Sequence, residues 1–324
     1  MGCSNAPVHY TDFAIGTTVG LTLYGQDRPD LWKEIQEDLQ WLDDTMTIWD
    51  REVPSVLMMA NQAAGNREGY PIPAELEEVI QLGLEVGRKS RGALDISVGP
   101  LVKAWGVASD SPRVPSPTEI SQLLALVDYT KVRAEQGRLY LEKPGMVIDL
   151  GAVAKGWMAD RIASKLKAKG VERAIIDLGG NVLLVGTKPD GSLWKVGIQD
   201  PFESRGIYLG ILETEATSLV TSGIYERFFE KDGVRYHHLF DPKSGFPVEN
   251  ELAGVTIVHP QSGLADALST AVFVLGSRLG WELAQQYQAE VIFVTKDKRL
   301  WVSPKLRSHF NLTQKSYTLV STLD

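Results

Sequence analysis

From Phe13 to Tyr24 apolar and polar positions alternate, with Thr17, Val19, Leu21 and Leu23 on one face and Thr18 and Thr22 on the other. A period of two predicts a half-buried strand. The period then lengthens. Pro29-Asp30 opens a stretch in which Leu31, Ile35, Leu39, Leu42 and Met46 share one face, which predicts a helix. Arg51 to Arg67 reads as irregular. Pro73 starts a second helix, with Leu76, Ile80 and Leu84 inward, ending near Lys89.

Gly92 to Gly106 follows, rich in Gly and Pro yet apolar, an odd mix for a solvent-exposed loop. Ser109 to Pro117 is a surface loop. Ser116-Pro117-Thr118-Glu119 has the form of a capping box with Pro at the first helical position, leading a short helix. Val132 to Glu142 predicts a hairpin turning at Gln136-Gly137. Met146, Ile148 and Leu150 alternate into a strand, followed by a helix from about Lys155 to Lys169 that Gly170 closes. Strands are then predicted at 174–178, 181–186, 194–198, 207–212 and 219–221. Phe228 to Leu239 forms a hairpin with an Asp232-Gly233 turn. A strand at 255–258, a helix carrying Asp266, a second helix around 281–287 and strands at 291–295 and 300–302 complete the chain. Only the segment from Met146 to Leu178 reads as strand-helix-strand. The class is therefore α+β, with mostly antiparallel sheets and packed helices.

The 324 residues are 44% hydrophobic and 23% charged, an ordinary globular composition. No apolar run reaches the length of a membrane span. The net charge is −8 with scattered basic residues, which argues against a nucleic-acid partner. Cys3 is the single cysteine, so no intrachain disulfide forms. Gly2-Cys3-Ser4-Asn5 is what remains when a bacterial lipoprotein signal is cut before its lipidated Cys. Residues 1–10 then form a flexible lead and 11–324 the functional unit. Lipid on Cys3 would tether that unit to the membrane; a cysteine in a frayed tail is the plain alternative.

Four segments look over-specified for packing. Asp266 and Thr270 lie four apart at the start of an apolar helix, so both oxygens stack on one face. That pair suits a hard cation such as Mg²⁺, and the positive helix end favours phosphate; an ordinary helix start is the alternative. Asp95, in the apolar loop, accepts from an adenine amine or ribose hydroxyl, or caps local backbone. Asp149-Leu-Gly-Ala152-Val-Ala-Lys155-Gly156 is either an anion cradle with Lys155 reaching a phosphate or small residues allowing tight helix-sheet contact. His238, in His237-His238-Leu-Phe240-Asp241-Pro242-Lys-Ser-Gly245, is either a general base beside Asp241 or a structural histidine. One cysteine and no dense histidine cluster disfavour zinc, and the absence of Gly-x-Ser-x-Gly disfavours a serine hydrolase.

In this order and spacing the segments resemble the ApbE family, the FAD:protein FMN transferases, over about Phe13 to Gly276. The resemblance implies a single compact, T-fold-like unit. Ile15-Gly16-Thr17 stands where the family has Met-Gly-Thr, which puts Ile15 against the flavin. The Gly-x-x-Asp-x-(Ser/Thr)-x-Gly-Pro-Leu-x-x-x-Trp element makes Ala93, Leu94 and Asp95 FAD contacts. Asp149 and Lys155 would face FAD, and Phe240 would lie beside it. The Ala152 carbonyl, Asp266 and Thr270 would hold Mg²⁺, with Ser269 where some relatives carry a second Asp. The implied reaction moves FMN from FAD to a Thr or Ser hydroxyl of a target flavoprotein, a subunit of a membrane redox complex, and releases AMP. Asp266 and His238 are its catalytic candidates. The setting implied is the periplasmic side of the bacterial inner membrane. Two other readings share this site: a Mg²⁺-dependent FAD pyrophosphatase giving FMN and AMP, and a non-catalytic FAD-binding lipoprotein.

Overall fold

The computed structural model describes residues 6–322; Cys3 and its expected lipid lie outside them. Strand β1 (Val8–Ala14) pairs with β2 (Thr17–Leu23), so the alternating stretch is a hairpin rather than one strand. It turns at Ile15-Gly16, both with positive φ (48° and 70°). Such two-residue turns favour Asn or Gly, and Ile pays steric strain there. β1 also takes Val8 to Tyr10 out of the stretch read as a lead.

Helix α1 (Pro29–Met46) buries Leu31, Ile35, Leu39, Leu42 and Met46 as their spacing predicts. The next segment is not wholly irregular. It holds α2 (Val56–Gln62), capped by Ser55 Oγ accepting from Met58 N at 3.0 Å. Seven residues give too few turns for periodicity to show. Then come β3 (Tyr70–Pro71), α3 (Ala74–Lys89), α4 (Gly99–Trp105) and α5 (Pro117–Leu124), whose Ser116 cap accepts from Glu119 N. β4 (Val132–Glu135) and β5 (Arg138–Leu141) form the expected hairpin.

The strand expected at Met146 to Leu150 does not form. Asn61 accepts from Ile148 N (2.9 Å) and donates to Ile148 O (3.0 Å), and Asp149 N donates to Ile96 O (2.8 Å). A side chain and a loop satisfy this backbone in place of a sheet neighbour, so the strand-helix-strand unit is absent. Helix α6 (Ala154–Ala168) leads to β6 (Ala174–Leu178), β7 (Asn181–Val185), β8 (Trp194–Gln199), β9 (Tyr208–Thr214), β10 (Ser218–Gly223) and the hairpin β11 (Phe228–Lys231) with β12 (Val234–His237). The chain closes with β13 (Leu252–His259), α7 (Ser262–Gln286), β14 (Glu290–Thr295), β15 (Arg299–Val302), β16 (Phe310–Leu312) and β17 (Thr318–Leu319).

The fold is α+β. A nine-stranded sheet runs β1-β2-β6-β7-β10-β13-β14-β15-β17, antiparallel except for the last pair. All eight residues of β13 are buried because both faces are covered. Val255, Ile257, Val291 and Phe293 pack toward the helices, while Val258, Ile292 and Val294 join Trp194, Leu209 and Leu212 of the small sheet β16-β9-β8. This alternation is the period of two at work. Helix α7 is broken at Gly276 (φ 76°, ψ 175°), and Glu251 accepts from Ser277 N at 2.8 Å, capping the second half. The two helices expected here are thus one interrupted element.

Candidate active site

The site is built where α6 and α7 meet. Gly156 donates its backbone N to Asp266 Oδ2 at 2.9 Å. Only glycine allows this approach: a Cβ there would lie 2.2 Å from Ser262 O and 2.7 Å from Asp266 Cβ. Asp160 of α6 accepts from Ser262 N and Gly263 N, both at 2.8 Å. It therefore occupies the amides at the start of α7, and the helix end expected to favour phosphate is already capped by a carboxylate. Asp266, one turn later, is 4% exposed and borders a cavity of about 530 Å³, a size suited to a sizeable ligand. Thr270 borders it too, its Oγ1 3.5 Å from Ser222 Oγ.

Ser269 does not reach this space. It is fully buried, bonded to Ser222 Oγ (2.8 Å) and the Asp266 carbonyl (2.8 Å), so Ser222 rather than Ser269 presents its oxygen beside Thr270. Ala152 and Lys155 line the cavity from the turn before α6. Lys155 Nζ donates to Gly151 O at 3.1 Å and lies 3.9 Å from Asp266 Oδ2. The anion cradle expected here is partly spent internally. Gly151 N serves Asp149, Val153 N and Ala154 N serve Leu150 O, and Gly156 N serves Asp266. Cationic reach toward an anion therefore comes from Lys155 more than from these amides.

Ala93, Leu94 and Asp95 form another stretch of wall, all buried. Asp95 caps local backbone, one of its two readings, at the cavity wall. It borders the cavity, yet Oδ1 accepts from Ser97 N (2.8 Å) and Ser97 Oγ (2.6 Å), and Oδ2 from Tyr129 N (3.0 Å). Burial raises its proton affinity and those three bonds oppose the rise. Asp149 also lines the cavity, its carboxyl raised by burial and opposed by Gly151 N and by the charges of Lys155 and Arg227. The apolar Gly92–Gly106 segment is explained by its depth. Trp105 is fully buried, lies tilted against Phe240 with ring centres 5.8 Å apart and donates Nε1 to Gly245 O at 2.9 Å. That contact docks the 238–245 turn, so Phe240 closes the cavity beside α4.

His238 faces the cavity, but its partner is not Asp241. Asp241 Oδ1 accepts from Lys243 N inside its own turn, while His238 Nδ1 donates to the Arg227 carbonyl at 3.2 Å. The carbonyl fixes the proton on Nδ1 and leaves the Nε2 lone pair free. Burial pushes the ring pKa down to about 3, and Arg227, His237 and Lys155 add to the fall. The imidazole is neutral at physiological pH. Ile15 stands apart: it borders a second recess between the β1–β2 turn and α1, while its neighbours Gly16 and Thr17 line the main cavity.

Several wall residues carry no sequence signal. Trp49 comes from a stretch without periodicity, Asn181 from a strand start, and Arg205, Glu226 and Arg227 from turns. Among the described residues no group of three or more His, Cys, Asp or Glu side chains could hold a metal. The Asp266–Thr270 pair, with Ser222 and Ala152 lining the same cavity, supplies oxygen donors with one negative charge. That set fits a hard cation that takes its remaining ligands from phosphate and water.

Comparison with known proteins settles the lineage. Residues 15–293 match the ApbE family. This chain belongs to the ApbE family. A Klebsiella pneumoniae protein named FAD:protein FMN transferase is 34% identical over 319 residues, covering 98% of each chain. A Treponema pallidum protein of the same name is 36% identical over 265 residues, covering 77% of this chain and 73% of that one. The ApbE protein of Thermotoga maritima superposes with a TM-score of 0.85 at 28% identity, covering 94% of this chain and 99% of that one. The flavin transferase ApbE of Vibrio cholerae gives 0.84 at 28%, covering 95% and 100%. These matches make the α+β unit of this family member the family's fold.

Proposed function

We propose that this ApbE-family chain transfers FMN from FAD to a Thr or Ser hydroxyl of a target flavoprotein and releases AMP. The observation that carries the reading is convergence: Asp266 and Thr270 of α7, Lys155 of α6, His238 of the 238–245 turn and Ala93 to Asp95 border one cavity. The names of the relatives support the substrate. The acceptor oxygen bonds to the phosphorus of the FMN half, the bond from that phosphorus to the bridging oxygen breaks, and AMP leaves with that oxygen. The acceptor proton needs a base. His238 is the candidate, because Nε2 is its only free nitrogen. Its low pKa makes it a weak base alone; an anionic diphosphate alongside raises it toward the useful range. Lys155 offers a fixed positive charge to the phosphates.

Mg²⁺ would be held by Asp266, Thr270 and the Ala152 carbonyl, and would supply charge neutralisation at the phosphate oxygens. Cys3, with its Gly2-Cys3-Ser4-Asn5 context, supports a lipid tether on the periplasmic side of the inner membrane, close to a membrane redox complex. Mass spectrometry of the protein from membranes tests this, and an unmodified Cys3 there would exclude it.

Incubation with FAD and Mg²⁺, with and without a Thr-bearing acceptor, tests the main proposal. Covalent flavin on the acceptor with stoichiometric AMP is expected. AMP without acceptor identifies a pyrophosphatase, and unchanged FAD in both tubes identifies a binder.

A further inference from the structure

Asn181 opens β7 just after the Gly179-Gly180 turn. It is 3% exposed and lines the main cavity, and among the described residues its Nδ2 has no hydrogen-bond partner. Buried amides left unmet are rare, because the donor has given up its bond to water for nothing. The strand ladder shows where this amide points. β7 and β10 pair Leu183 with Ser218 and Val182 with Leu219. One step further sets Asn181 against Val220. Opposed residues share a face of the sheet, and so do residues two apart along a strand. Ser218 Oγ bonds Ser262 Oγ (2.9 Å) and Ser222 Oγ bonds Ser269 Oγ (2.8 Å), both on α7, so this face looks toward α7. Asn181 therefore shares a face with Ser222, whose Oγ lies 3.5 Å from Thr270 Oγ1, and both line the cavity with Asp266. A half-turn about the Cβ–Cγ bond exchanges the amide's N–H and C=O ends with little change of shape, so the donor can be turned to the cavity.

The cavity wall carries four carboxylates, Asp95, Asp149, Glu226 and Asp266, against three cations, Lys155, Arg205 and Arg227. An anionic diphosphate meets no excess of positive side chains there. Neutral donors must then carry part of its binding, and a hydrogen bond to an ionised oxygen is stronger than one between neutral groups. We propose that Asn181 donates its side-chain N–H to a phosphate oxygen of the dinucleotide, beside the Asp266–Thr270 pair. The donor is unmet in the free protein, which lowers stability, and is met when the substrate binds. This inference rests on the reading of FAD as the substrate.

Asn181→Leu nearly keeps the shape and removes the unmet donor. Without ligand, its melting temperature should rise by about 2 °C or more, since an unsatisfied buried group is gone. With Mg²⁺ present, its FAD affinity, read by quenching of flavin fluorescence, should weaken about tenfold or more. Riboflavin, which has no phosphate, should bind the variant and the wild type equally. Asn181→Asp has the same shape but carries a charge that repels phosphate, so it should weaken FAD binding further than Asn181→Leu. Unchanged FAD affinity in Asn181→Leu overturns the proposal. So does a riboflavin affinity that falls as far as that for FAD, because the amide would then serve the ring. A lowered melting temperature overturns it too, because the amide would then hold the fold. These are binding and melting measurements. A wild type that binds FAD yet forms neither AMP nor flavinylated acceptor would sink the transferase reading, and the affinities would still decide the role of Asn181.

Discussion

Replacing Gly156 with Ala tests how the site is held. The added Cβ would lie 2.2 Å from Ser262 O and 2.7 Å from Asp266 Cβ. Relieving the first contact requires α6 and α7 to separate by about 1 Å, since packed atoms tolerate little overlap. That shift stretches the 2.9 Å bond from Gly156 N to Asp266 Oδ2. Overpacking costs about 1–3 kcal/mol and a lost bond to a charged group about 1.5–3, against a helix-propensity gain of about 1 kcal/mol. The expected net loss is about 1.5–5 kcal/mol. Because Asp266 moves with the helix, FAD turnover should fall about a hundredfold, the usual effect of a 1 Å misplacement. Urea titration followed by circular dichroism reads the first quantity, and AMP release from FAD the second. Gly20→Ala is the control: its Cβ would meet nothing closer than 3.9 Å, so stability should move by less than about 1 kcal/mol. A Gly156→Ala protein with wild-type stability and wild-type turnover would refute the account of how Asp266 is placed.

Asp266→Ala should bring transfer below detection and remove any effect of Mg²⁺ on FAD affinity; titrating FAD with and without the ion reads both. His238→Ala should slow transfer by about 10²–10⁴-fold while FAD still binds, the span expected for a lost general base. Near-normal transfer in that variant would assign the proton to solvent. Stability should also depend on pH through His237, whose Nδ1 accepts from Leu239 N and whose Nε2 donates to Val248 O. Burial pushes its pKa down to about 4. The unfolded chain takes up the proton near pH 6.5, so this contribution is lost as pH falls from about 6.5 to about 4. Urea midpoints at pH 7.5 and 5.0 should differ less in His237→Gln than in the wild type.

Long periodic elements were legible from the residues. The inward face of α1 follows from five apolar positions, and the α5 cap from Ser116 and Glu119. What periodicity could not show is backbone satisfied by a distant side chain. Asn61, 87 positions away, holds Ile148 in a loop that alternates like a strand. The partner of His238 was within reach: counting outward from the Asp232-Gly233 turn pairs Phe228 with His237, and one step further sets Arg227 against His238. Asp241 is nearer in sequence, but its carboxylate is held inside its own turn by Lys243 N. Ser269 failed to reach the cavity for a rotational reason. Thr270 completes the i, i+4 pair with Asp266, whereas a residue one place earlier is turned about 100° away. Trp49 and Arg205 sit in irregular backbone, where no repeat marks the direction of a side chain.

The interruption of α7 at Gly276 has a further consequence. Helical cooperativity runs through consecutive bonds from each amide to the carbonyl four residues back, and the extended ψ of 175° severs that run. The outer stretch, 277–286, starts afresh on Glu251 and exposes Leu279 to solvent, while the inner stretch carries Asp266 and Thr270. Fraying at the outer end therefore stops at the glycine, and the ligand-bearing turns are insulated from local unfolding of their own helix.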